Sequence, residues 1–103
     1  VRTTPPRWGH ERETIRKEVE HLIKRIVSTR TDITKKYSVW FKIGCAFASE
    51  FGEEGRKYFH EVSRFYPRYD SSQCDLQYFK CLNYGDKVTI KSFYFYCSQN
   101  GIW

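Results

Sequence analysis

KYSVWFKIGCAFASEF, residues 36–51, is the most apolar run of the chain, and its reading decides the fold. The large groups Tyr37, Trp40, Phe41, Ile43, Phe47 and Phe51 recur at mostly helical steps, with Gly44, Cys45, Ala46 and Ala48 between them. Apolar residues nearly all round a helix mean that it is covered on several sides. The run therefore predicts a central helix, with Thr34 as its N-cap. Gly44 and Ala48, four apart, leave a small stripe where another helix can approach closely. Gly52 then supplies a left-handed stop after Phe51.

Upstream, Ile15, Val19, Leu22, Ile23 and Ile26 repeat at helical spacing over 11–27. Glu11 and Glu13 come early and Lys24 and Arg25 late, as the helix dipole favours. Ser28 to Thr34 reads as a loop, and residues 1–10, with Pro5-Pro6 and Gly9, as an extended lead-in or linker. Downstream, 53–65 is amphipathic, with Gly55, Tyr58, Phe59 and Val62 on one face. Pro67 forces a bend. Asp70, three before Gln73, has capping-box spacing and opens a fourth helix carrying Cys74, Tyr78, Cys81 and Leu82 inward. Thr89 caps a last helix with Ile90, Phe93, Tyr94 and Cys97 inside, and Gly101 ends it. The expectation is all-α: a compact bundle of about five helices forming one domain over 11–103.

The chain has 103 residues with eight Tyr, eight Phe and three Trp, enough large apolar area for a small core without staples. Its start at Val1 rather than Met reads as a segment of a longer protein. No apolar run suits a signal peptide or a membrane helix, so a cytoplasmic location is expected. Cys45, Cys74, Cys81 and Cys97 form no CxxC pair and sit among apolar neighbours, which predicts reduced core thiols. Cys74 and Cys81 lie two helical turns apart, roughly 10 Å by rise, too far to share one ion. No metal or other cofactor is expected.

Catalytic chemistry finds no home here. His10, His21 and His60 fall on polar faces or in the lead-in, away from the thiols, so a Cys–His pair needs His60 turned inward. Glu50, Glu53 and Glu54 crowd around Gly52, where acids favour the positive end of the next helix. No phosphate-binding Gly-rich loop and no nucleotide fingerprint is present.

The order of motifs resembles the second primase C-terminal helical domain family over roughly residues 37–102. Trp40, the Gly44-Cys45-Ala46 step, the acidic turn Glu50-Phe51-Gly52-Glu53-Glu54-Gly55, and Phe59 ahead of Ser63 follow its opening. Tyr69-Asp70 with Cys74 and Tyr78, then Val88-Thr89-Ile90-Lys91-Ser92-Phe93 and Asn100-Gly101-Ile102, follow its later helices. Phe59 stands where a Trp is common, Lys91-Ser92 replaces a frequent Gly-Thr, and Cys97 replaces Ala. The Thr31-Asp32-Ile33-Thr34 exit of the first helix resembles versions in Bacteroidetes-type mobile elements. The resemblance implies a non-catalytic module beside primase–polymerase or helicase domains in phages, plasmids and integrative elements.

Charge points to the same kind of partner. Net charge is +6. Residues 1–36 hold ten Lys or Arg against five acids, whereas 37–103 hold eight against seven. Basic side chains interleaved with aromatics grip a nucleic-acid backbone while stacking on bases. Arg64, Tyr66, Arg68 and Tyr69 around Pro67 form such a set, with Arg56 and Lys57 on the helix before it. Lys87 and Lys91 near the last helix's free N–H groups form another. Each has an ordinary alternative as a solvated surface charge. The expected partners are sequence-nonspecific DNA and the neighbouring domains of a primase or helicase protein. The alternative is a protein-docking or linker module that uses exposed aromatics such as Trp8, Tyr96 or Trp103.

Overall fold

The computed structural model describes residues 7–103, with side chains from residue 13 onward. Five α-helices and one 3-10 turn make up the described chain: α1 Arg7–Thr29, α2 Tyr37–Phe51, the turn Gly52–Gly55, α3 Arg56–Ser63, α4 Ser71–Leu82 and α5 Ile90–Gln99. The all-α expectation holds. α2 is central as its sequence requires, packing against α3, α4 and α5, while α3 also meets α1 and α4. Of the lead-in expected over 1–10, residues 7–10 are already helical, and the rest lies outside the described residues.

The core is a web of aromatic rings. Phe47, Phe59, Tyr78 and Phe93 are fully buried. Phe47 meets Phe93 at 4.8 Å between ring centres, and Phe59 meets Tyr78 at 5.6 Å. Such tilted pairs add to the area they bury. The small-residue stripe does what its spacing predicts at one position. A methyl on Gly44 would sit 2.7 Å from the Cys81 sulfur and 3.0 Å from the Phe59 ring, so only Gly allows this approach.

The first helix packs through Val19, Ile23 and Ile26, all buried. Polar ties add to this contact. Arg16 pairs with Glu54 at 2.7 Å, the Tyr58 hydroxyl donates to Glu20 at 2.6 Å, and the Tyr94 hydroxyl donates to Glu18 at 2.8 Å. The basic helix is thus part of the bundle.

Three local expectations are corrected. Thr34 does not cap α2: it is buried, and its hydroxyl and N–H both donate to Asp32 Oδ1, at 2.6 and 2.8 Å. That turn folds the loop onto the core, and Lys36, in extended backbone without a side-chain bond, holds the cap position. Gly52 does have positive φ, at 61°, but its ψ of −137° leads straight into the 3-10 turn, so the helix expected from residue 53 begins at Arg56. The reason lies in Tyr78, whose hydroxyl donates to the Gly52 carbonyl at 2.5 Å. Gly55 lies so close to that hydroxyl and to the Phe47 carbonyl that a Cβ does not fit. Thr89 occupies the N-cap of α5 but makes no side-chain cap bond.

Other termini follow the sequence reading. Asp70 accepts the Gln73 N–H at 2.9 Å, capping α4. Gly101, at φ 76°, closes α5 in a Schellman turn: Ile102 N–H reaches the Cys97 carbonyl and Gly101 N–H the Ser98 carbonyl. All four cysteines are free and buried. Burial pushes the Cys74 thiol up to about 11 and the Cys97 thiol up to about 12, which keeps both protonated. The Cys81 thiol is raised for the same reason.

Candidate nucleic-acid interface

Pro67 shapes the region where cations and aromatics meet. The chain leaves α3 through a bend in which Tyr66 N–H bonds the Ser63 carbonyl at 3.0 Å and Tyr69 N–H the Tyr66 carbonyl at 2.9 Å. The bend, the α1–α2 loop and the first turns of α2 enclose a cleft of about 420 Å³. Tyr37, Trp40, Tyr66 and Tyr69 give it aromatic walls, and Lys35 and Arg68, both exposed, line it from two different segments. Thr34, Ser63, Asp70 and Gln73 complete the lining. The Asp70 carboxylate is engaged as the α4 cap, so the two cations outweigh it.

The walls are fastened from behind. Trp40 donates its indole N–H to Ser63 Oγ at 2.9 Å and stacks on the buried Phe59 at 5.5 Å. Tyr37 meets the buried Gln77 amide at 3.2 Å. The Tyr69 hydroxyl lies 2.7 Å from His60 Nδ1, and His60 Nε2 lies 2.7 Å from Asp75 Oδ1. His60 and then Arg56, both hydrogen-bonded to it, hold the Asp75 carboxyl below the usual carboxylate range. His60 therefore faces a phenol and a carboxylate, and its two ring nitrogens are taken up in orienting one wall of the cleft.

The structure brings some of the basic candidates together and separates others. Tyr66 and Arg68 share the cleft. Arg64 lies with Arg56 and Lys57 along a shallow groove that also holds Glu53, Glu54 and Glu61, so that face is mixed in sign. Arg56 is committed within the fold: it grips Glu53 at 2.8 and 3.0 Å and Asp75 at 3.2 Å. Glu53, then Asp75, raise its pKa further. The Lys57 ammonium sits 5.3 Å over the Tyr58 ring. Lys87 and Lys91 are exposed at the start of α5 and line no part of the cleft.

Lys35, Tyr37 and Trp40 were not legible as site residues. They belong to the run that specifies the core, and their aromatics satisfy that reading equally well. A signal was present, because Tyr37 and Trp40 stand one turn apart directly after Lys35-Lys36. Among the described residues no group of three or more His, Cys, Asp or Glu is placed to hold a metal ion.

With this geometry in place, comparison with known families is decisive for ancestry. The family model for Primase C terminal 2 (PriCT-2) matches residues 23–97, from the second half of α1 to the end of α5. The chain belongs to that family. No curated protein and no solved structure matches it. As a PriCT-2 domain it is a primase-associated C-terminal helical module. The match covers Trp40 and the whole bend from Arg64 to Asp70, so the cleft is built inside the family's own helices. No helix among the described residues of this PriCT-2 domain is long and apolar enough to cross a membrane.

Proposed function

We propose that this PriCT-2 domain is a non-catalytic accessory module that binds DNA without sequence preference. It positions that DNA, or an adjoining catalytic domain, in a cytoplasmic primase or helicase protein of a phage or mobile element. The observation that carries this reading is the cleft at the Pro67 bend, where Lys35 and Arg68 flank four aromatic rings. Fixed aromatics beside flexible cations suit a polymer whose charge repeats and whose bases vary. Phosphate contacts then supply most of the affinity, which makes binding steeply salt-dependent.

The test is an anisotropy titration of labelled DNA at low and near-physiological salt. Binding that weakens sharply as salt rises is expected, with Arg68→Glu weaker at both salts and with a shallower salt slope. No binding at low salt would overturn the reading.

A second reading rests on another face. Leu76 and Phe79, one turn apart on α4, are 56% and 59% exposed. Neighbouring exposed apolar groups of this size favour a protein contact. On this reading α4 docks on an adjoining domain of the parent chain, and Leu76→Lys with Phe79→Lys abolishes that association while leaving DNA affinity intact.

A further inference from the structure

We propose that the cleft selects unpaired nucleic acid, taking one base of a single strand between its aromatic walls. This rests on the DNA-binding reading above and narrows it to one class of ligand. Three features carry it.

The first is size. A cavity of about 420 Å³ falls in the range of small-molecule sites, large enough for one planar heterocycle with its sugar and far too small for a duplex. The second is the state of the rings. Trp40 is pinned by Ser63 and Phe59, and Tyr69 by His60, so these walls are rigid before anything binds. Tyr37 is 64% exposed, an unusual position for a ring at the start of the most apolar helix, and it has surface free for stacking. Preordered rings lose little freedom on binding.

The third feature is a route out of the cleft. The Tyr37 ring stacks on Phe41 at 6.4 Å with planes 9° apart, and Phe41 meets Tyr84 edge-on at 4.9 Å. An aromatic row therefore runs from the bend along α2 to the α4–α5 connection, which carries Lys87. Successive unpaired bases can use such a row because every base has a π-face. Paired bases cannot, since their faces are covered by their neighbours in the stack. Lys35 and Arg68 supply cations for the phosphates on either side of the inserted base.

The experiment compares a labelled oligothymidine with a duplex of the same length, using the intact domain, Tyr37→Ala and Tyr66→Ala. Both side chains are exposed, and a thermal melt of each variant confirms that the fold persists. The intact domain binds the single strand more tightly, and each substitution lowers that affinity by about 5- to 150-fold while duplex binding stays within about twofold. Equal affinity for both strand forms, or variants that bind the single strand like the parent, would overturn base insertion and leave the wider DNA reading standing. Binding to neither form at low salt would overturn both.

Discussion

Two clusters of aromatic rings meet at Phe59, which touches Trp40 of one and Tyr78 of the other, and they obey different rules. On one side Phe47, Tyr78 and Phe93 are closed off from solvent, and the Tyr78 hydroxyl is fastened to the Gly52 carbonyl. On the other Tyr37, Trp40, Tyr66 and Tyr69 line an open cleft beside Lys35 and Arg68. The amino acids are the same kind, yet the first set has no room for an added methyl and the second leaves about 420 Å³ empty. Aromatic richness in this small chain thus does two things. It fills a core that so few residues could not otherwise fill, and it leaves a rigid, half-wet surface at one edge.

Substitutions separate the two clusters. The largest effect is expected at the closed one: Phe93→Ala removes a fully buried ring and should cost about 3–5 kcal/mol in chemical denaturation. A loss under about 1 kcal/mol would mean that the cluster is loosely packed. Next comes Gly55→Ala, whose methyl is driven against the Phe47 carbonyl and the Tyr78 hydroxyl; overpacking there should cost about 1–3 kcal/mol. At the border, Asp70→Ala removes the α4 cap and should cost about 1 kcal/mol. Tyr37→Ala, at the open cluster, removes a largely exposed ring together with its bond to the buried Gln77 amide, and should cost about 1 kcal/mol, well below the loss at Phe93.

The ionisable groups sharpen the contrast. Asp75 has a depressed folded pKa, so the stability it contributes is complete above its unfolded value of about 3.9 and is lost as pH falls through the lower folded value. Melting curves taken downward from pH 5 should therefore show a smaller acid-induced loss in Asp75→Asn than in the parent. An identical loss in both would remove Asp75 from the account.

Much of the fold was legible because periodicity reports burial. The inward sets of α1, α4 and α5 were visible: Val19, Ile23, Ile26, Cys74, Tyr78, Cys81, Ile90, Phe93 and Cys97 are buried, while Ile15, Leu22, Leu82 and Tyr94, read into the same sets, are partly buried against the core. Termini were less legible where tertiary contacts override local chemistry. Thr34 is a good cap by type, but Asp32 captures its hydroxyl. The 3-10 turn exists because Tyr78, more than 20 residues away, ties down Gly52.

The candidate site was half visible. Tyr66 and Arg68 were marked by their alternation around Pro67, whereas Lys35, Tyr37 and Trp40 arrive from a separate segment. Arg56 illustrates the reverse, a cation that looks available in sequence and is bound to Glu53 and Asp75 in the fold.

The most direct test of the cleft follows the tryptophan indole N–H signals by NMR while single-stranded DNA is added. Trp40 forms a wall of the cleft, whereas Trp103 lies in a separate groove between α1 and α5. The Trp40 signal should shift in proportion to bound strand while that of Trp103 stays in place. A stationary Trp40 signal at saturation, with shifts confined to Trp103 or to the α4 face around Leu76 and Phe79, would contradict binding in the cleft.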